Sequence, residues 1–573
     1  VLVKNIDLNG NHTLDLQFAY NYDNFGRLTD VFANFKNHTN TALANKVLNY
    51  VYDDSNNLVS RKNYFQSKGQ ISNPEPCYNN IPANTYYYNY DVRYRQTGLY
   101  DSRSLFNLSL FYNNNNPMVV SGTAISTNYN GNINATRLTR TFTNTTNGSI
   151  PGFAKSFTQC YTYDAINRLE LADNSDLAPT TGTNSDKYGD EDPVYDKIGN
   201  ISSMYRGLTN GSSYSYLQSV YNYTSGTNKL NTVTQSGVTS RAFGYDLTGN
   251  TTQETFSGVS SNYSFGRSNL PINFTKSGVT TNYIYSASDE RIIKHNTSNN
   301  GVEYYIKSTG GEDLAVFNSA NNSLVWYVQG EVKFPHHSTP DFSANNSNTG
   351  ATSYTTDPYA IALTQTNSYL YPDMEYNLTD HLGSTRMMYK LNFTCAGVYQ
   401  NATINYMADY FSFGKIVREY INAGTAAEKY QYTGKERDTE SGYDYFNARN
   451  YHSEVGRFLS VDPLAEKFAG WSAYHYSANN PINITDPSGM DWSETNIDLA
   501  RRFGAFGDNC PTCPKDGNYQ SEIDSYFDYT YDKTTGKATK NEVTKKDLPE
   551  VTIVGSRSSD GTKGGSQVAM GPG

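Results

Sequence analysis

The chain has 573 residues, a formal net charge of −10, and only 17% charged and 37% hydrophobic residues. It contains no long basic run, which argues against a nucleic-acid surface, and its most apolar stretches, such as residues 323–330, are far shorter than a membrane span. Yet 51 Tyr and 26 Phe set it apart from disordered chains, in which aromatics fall as charge rises. Tyr favours strands and tolerates a polar-lined interior, so the composition predicts an all-β, turn-rich protein.

The opening VLVKNI carries no initiator Met and no signal sequence, so export is not readable from it. One pattern then recurs along the chain. YNYDNFGRLTDV starts at Tyr20, YVYDDSNNLVSR at Tyr50, YNYDVRYRQTG at Tyr88, YTYDAINRLELAD at Tyr161 and VYDKIGNISSMY at Val194. YNYTSGTNKLNTV at Tyr221 and FGYDLTGNTTQETF at Phe243 follow, with a weaker copy at Tyr283. Each unit is an alternating aromatic strand, an Asp, a Gly or Asn, and a second strand. The Asp is placed to accept turn N–H groups, while Gly26 or Asn167 supplies a positive φ, so each unit predicts a β-hairpin. Because the Tyr–Asp pair recurs at many positions, it reads as structural and not as a nucleophile with its base. Stacked hairpins must lie against neighbours to bury a face.

Later segments continue this grammar: YNLTDHLGSTRMMY at Tyr376–Tyr389, DYFSFGK at Asp409–Lys415, and Tyr430–Asp491, which ends in NNPINITDPSGMD. Together the motifs resemble the RHS/YD-repeat family with its C-terminal RHS-repeat-associated core, in wording similar to Bacteroidota versions and, more distantly, to teneurins. The resemblance implies a continuous spiralling sheet of hairpins forming a hollow, cocoon-like shell. It divides the chain into a repeat shell at 1–375, transition strands at 376–429, a core plug at 430–490 and a spacer or tail at 491–573, short and irregular or partly helical.

Arg437, Arg449 and Arg457 stand among acidic and aromatic residues in the core segment. Guanidinium groups bridge carboxylates and stack on rings, which suits a plug built on Arg437, Asp438 and Arg449. Related cores carry an aspartyl autoprotease with two DPxG motifs. The matching positions are Asp462-Pro463-Leu464-Ala465 and Asp486-Pro487-Ser488-Gly489, with Ala465 departing from the pattern. Two close carboxylates can share a proton and activate water. On that reading Asp462 and Asp486 are catalytic, Arg457 keeps one ionised, and cleavage falls at Met490–Asp491. A purely architectural plug is the competing reading. His381 beside Asp380, Ser384 and Arg386 fits the repeat turn, and neighbours His336 and His337 point oppositely on a strand.

Five cysteines (Cys77, Cys160, Cys395, Cys510 and Cys513) are too few for a disulfide scaffold, and CPTC lacks the partners of a zinc site. No metal and no cofactor are predicted. After Asp491, SETNIDLARRFGAFG predicts one short helix, followed by a linker-like tail without a recognisable toxin site. About 19 glycosylation sequons occur, among them Asn11, Asn37, Asn107, Asn134, Asn144, Asn222, Asn273, Asn377 and Asn401, a modest excess over chance. The expected function is a secreted or cell-surface container or scaffold, related to polymorphic-toxin delivery proteins, whose partner is its own enclosed C-terminal segment. The alternatives are a glycosylated structural or adhesive protein that self-associates into fibres or binds a cell-surface partner, and a self-processing protease core. Neither nucleic acid nor a membrane span is expected.

Overall fold

The computed structural model describes residues between 2 and 336 and between 375 and 491, with breaks of which 7–15, 36–44, 66–80, 113–130 and 175–187 are the longest. It also describes a separate hairpin, Tyr529–Asp532 with Lys537–Lys540. Val1–Pro511 is one compact unit and Thr512–Gly573 another. The predicted helix after Asp491, His337 and every cysteine but Cys160 lie outside the described residues; Cys160 is buried.

The protein is all-β. From Leu2–Ile6 to Ile416–Ile421, 29 strands form one sheet in which each strand pairs antiparallel with the next. Among the described residues no pairing joins the last of these strands to the first, so the sheet is not closed by strand pairing. It is nevertheless strongly curled. Residues about 250–300 positions apart meet: Asn84 donates to the Tyr389 hydroxyl at 2.8 Å, and Arg140 reaches Asp409.

The hairpin chemistry explains why so polar a chain folds this way. In the turn at Asp23, Oδ1 accepts the N–H groups of Phe25 and Arg27 at 2.9 and 3.0 Å, and Gly26 takes φ +76°. Asp164 does the same for Ile166 and Arg168, with Asn167 at φ +67°. A type I turn closed by a left-handed residue makes a bulge, and the pairing register shifts at the last Tyr before each of these turns. Arg168 then clips its turn to the following one: Nε binds Asp164 at 2.6 Å, Nη1 donates to the Asp196 carbonyl at 3.0 Å, and the guanidinium lies 4.8 Å from the Tyr195 ring. Tyrosine hydroxyls add a second stitch, from Tyr163 to the Ile133 carbonyl, Tyr223 to Ile201 and Tyr285 to Pro271. Each of these three Tyr thus half-buries its ring and spends its hydroxyl on the backbone of the neighbouring hairpin.

The sheet has two unlike rims. The Asp turns lie on one. The other carries two-residue Ser-Gly turns such as Ser257–Gly258 and Ser277–Gly278, both residues at positive φ, as type I′ hairpins require. All long insertions but the one at 112–134 fall on this second rim.

Residues 430–490, the expected plug, have little regular structure beyond four strands of two or three residues. Its centre is an aromatic cluster of Tyr432, Phe446, Tyr451, Phe458 and Tyr476, in which Tyr451 and Tyr476 rings lie 4.6 Å apart and Phe446 meets Phe458 edge-on. Plug backbone and side chains dock on the Asp-turn rim: Thr251 N–H donates to Leu459, Ser472 N–H to Ile198, and Asn479 to Gly199.

Candidate functional site: paired aspartates on one guanidinium

Asp462 follows the strand Arg457–Phe458, and its Oδ1 accepts the Leu464 N–H at 2.7 Å. Asp486 sits in the loop that ends the described plug, where its Oδ1 accepts the N–H groups of Gly489 at 2.8 Å and Met490 at 3.0 Å. Arg449 stands between them. Its Nη2 is 2.9 Å from Asp462 and 3.1 Å from Asp486, and its Nε donates to the Gly489 carbonyl. The guanidinium lies 3.6 Å from the centre of the Phe458 ring. All three side chains are essentially out of water.

The cation between the carboxylates is therefore Arg449. Arg457, expected in that role, stacks on Tyr223 and Tyr474 and donates to the Asn228 carbonyl at 2.6 Å, holding plug to sheet. Burial pushes both aspartates above the ordinary carboxylate range, against the pull of Arg449, while burial also lowers Arg449. One guanidinium balances one carboxylate, so the trio is neutral when the two aspartates share a single proton. Beneath it, burial pushes His475 down to about 3, and the neutral ring donates from Nδ1 to the Ser472 carbonyl.

Of the candidate cleavage residues, Met490 is tied to Asp486, whereas Asp491 is half-exposed and pairs with Lys467 at 2.6 Å. Ala465 begins a short 3-10 turn, its N–H bound to the Asp462 carbonyl. The other plug residues serve elsewhere. Arg437 makes a two-point pair with Asp444 at 2.7 and 2.8 Å. Asp438 faces Arg291 at 2.9 Å and Lys294 at 3.3 Å, both from the sheet strand Arg291–Asn296.

Sequence reasoning missed these sheet-borne partners, because RIIKHN reads as an ordinary strand with solvated ends. It also missed Glu254, which accepts from Arg241, Tyr443 and His452 beneath the plug. Tyr443 and Tyr445 reach the sheet, toward Tyr263 and Arg291, while Phe446 joins the aromatic cluster. His381 donates from Nε2 to the Ile482 carbonyl at 2.9 Å, a link between repeat turn and plug. Among the described residues no group of three or more His, Cys, Asp or Glu is placed to hold a metal.

Asn107 and Asn222 are exposed, and Asn273 and Asn401 partly so. Asn134 and Asn377, each 2% exposed, leave no room for a glycan in the folded chain. Burial corrects the expectation at those two positions. Asn11, Asn37 and Asn144 lie outside the described residues.

No family model matches the chain. A stretch of 121 residues, 19% of the chain, is 35% identical to toxin subunit YenC2 of Yersinia entomophaga, and toxin subunit YenC1 of the same organism is 43% identical over 61 residues. The chain is of RHS type. A further 116-residue match is 35% identical to salivary gland surface protein 1 of Aedes aegypti. This RHS-type chain spans only a small part of these relatives: the matches cover 12%, 6% and 3% of their lengths. Among solved structures, a TcdB2–TccC3 complex overlaps 83% of the RHS-type chain and 27% of its own, at 14% identity and a TM-score of 0.37. No helix among the described residues is long and apolar enough to cross a membrane.

Proposed function

We propose that this RHS-type protein is an extracellular, toxin-related container or scaffold whose plug cuts the chain after Gly489 or Met490, separating the wall from the C-terminal segment it holds. The reading rests on one observation: two buried aspartates share Arg449, and one of them grips the backbone N–H groups at the expected cut. Asp486, with two N–H donors, is the better-stabilised carboxylate and acts as base toward water. Asp462 carries the proton and gives it to the peptide carbonyl oxygen. Water oxygen bonds to the carbonyl carbon, the C–N bond breaks, and the leaving amine takes a proton. Arg449 keeps the pair at one shared proton.

Intact-mass measurement and N-terminal sequencing of the purified chain test this. A break at Gly489–Met490 or Met490–Asp491, lost in Asp462→Asn, Asp486→Asn and Arg449→Met, is the expected result. An uncut wild-type chain, or an Asp462→Asn chain cut as fast as wild type, overturns self-cleavage. Particle images that show no enclosed interior overturn the container.

A row of outward apolar side chains favours a second reading, self-association into a structural or adhesive assembly. Ile284, Ile293, Tyr304 and Phe317 pair in series across four strands, and Ile284 and Tyr304 are 51% and 43% exposed. Repeating contacts between particles through that face would decide for it.

A further inference from the structure

The three carbonyls that lead up to the expected cut are each held by a different donor of the plug. Lys435 Nζ donates to Pro487, the Ala448 N–H to Ser488 at 3.1 Å, and Arg449 Nε to Gly489. From the other side, Asp486 accepts the N–H groups of Gly489 and Met490. A peptide N–H does not titrate and a guanidinium stays charged, so Lys435 is the one of these donors whose charge can change. Its own backbone is fixed: the N–H donates to the Tyr432 carbonyl, and the carbonyl accepts from the Gln431 N–H, at 2.9 Å each. Its side chain is half-buried, with the ammonium 5.5 Å from the centre of the Phe446 ring and no ion pair among the described residues. Burial lowers Lys435 to about 8, against the attraction of Asp486. The other charged groups that face it, Lys307 and Asp313 of the sheet, pair with each other at 2.7 Å and act on it in opposite directions.

We propose that Lys435 is a positioning residue that makes the cut pH-dependent: its ammonium fixes the Pro487 peptide and favours the ionised form of Asp486. This role rests on the self-cleavage reading and supplies what tells its two aspartates apart. A cation facing Asp486 stabilises that carboxylate as the base. Asp462 has the opposite neighbour. Burial raises it, Arg449 lowers it, and the negative charge of Asp491 adds to the rise, so the shared proton stays on Asp462. When Lys435 loses its proton, Pro487 keeps only a neutral donor and Asp486 loses a nearby cation. The cut therefore runs at neutral pH and slows as pH rises through about 8.

The full chain carrying a photocaged Asp486 stays whole until light starts a single turnover, and mass analysis then follows the cut with time between about pH 6 and about pH 9. The wild-type rate should halve near pH 8. Lys435→Arg keeps the donor and the charge, so it should cut at a rate similar to wild type at neutral pH and show no fall near pH 8. Lys435→Met should be about tenfold slower or more at neutral pH, again with no fall. Lys435→Arg decides the matter if Lys435→Met fails to fold. A fall near pH 8 that persists in Lys435→Arg, or a Lys435→Met chain cut as fast as wild type, overturns this role and leaves self-cleavage standing. A wild-type chain that stays whole after illumination at every pH overturns self-cleavage, and this role with it.

Discussion

Arg140 and Asp409 lie 269 positions apart in the chain, yet Nη2 and Oδ1 meet at 2.6 Å with both side chains almost fully buried. This contact holds the early part of the curled sheet against its late part. Arg386 and Arg418 share the same carboxylate; burial pushes it up, but Arg140, then Arg418 and Arg386, hold it well below the usual carboxylate range. Asp409→Asn leaves three buried cations without their common anion and is expected to cost about 3–5 kcal/mol, more than Arg140→Met, which leaves Asp409 two partners. Denaturant midpoints of the two variants measure this; equal midpoints to wild type would mean that the pair does not hold the wall together.

Glu254 is expected to make the docked plug acid-sensitive. Burial pushes its carboxyl up, but His452 and then Arg241 outweigh burial and hold it at about 2. A depressed carboxyl contributes its full stability above the unfolded value of about 4.5 and loses it as pH falls toward 2. At about 1.4 kcal/mol per unit, the contribution is on the order of 3 kcal/mol. Glu254→Gln should therefore melt below wild type at neutral pH, with the gap closing between pH 4.5 and 2. A gap that stays constant over that window would assign its role to packing alone.

Two glycines with similar backbones are expected to differ when replaced by alanine. Gly414 has φ +88°, and a Cβ there would stand 2.6 Å from Cγ of the Tyr432 ring at the heart of the plug. Gly278 has φ +81° in a two-residue turn with nothing within 4 Å of the new atom. Gly278→Ala should cost only the left-handed penalty of about 1–2 kcal/mol. Gly414→Ala must also displace Tyr432, so its melting temperature should fall several degrees further.

The repeat turn can be dissected at Asp164. Asp164→Ala removes the acceptor for Ile166 and Arg168 N–H groups and frees the guanidinium that reaches Asp196. A loss of roughly 1–3 kcal/mol is expected, with Asp164→Asn, which keeps a carbonyl oxygen, recovering much of it. Hydrogen exchange at Ile166 and Arg168 should rise in the alanine variant. Exchange that spreads to residues 196–200 would demonstrate that neighbouring turns open together.

The hairpins were legible because their chemistry is local. An Asp followed three residues later by Gly26 or Asn167 specifies acceptor and left-handed backbone within five residues, and the structure uses both as the pattern requires. The paired aspartates were legible as a motif, but their arginine was not. Arg449 and Arg457 lie in one aromatic stretch, and only the fold of the plug turns Arg449 inward and Arg457 toward Tyr223. The buried Asn377 escaped for another reason. In the strand Glu375–Thr379 the residues Tyr376, Asn377 and Leu378 are all buried, since both faces are covered where the sheet curls onto itself, and alternation no longer tells inside from outside. Lys294 and Glu436 pair at 3.3 Å across 142 positions, a separation at which no periodicity carries information.

The difference between the two rims also decides where the molecule tolerates grafts. At the Asp turns Arg168 reaches the carbonyl of the next turn at Asp196, and that turn's Gly199 carbonyl receives Asn479 of the plug, so an added residue there would break a clip. At Ser257–Gly258 and Ser277–Gly278 the crests stand clear, with no atom within 4 Å of a side chain built on either glycine. An epitope tag or a small foreign domain spliced into those crests would ride on the outside of the wall. Apart from the stretch at 112–134, diversification by insertion falls on one lip of the sheet, while turns such as those at Asp164 and Asp196 on the other are held by the parts they touch.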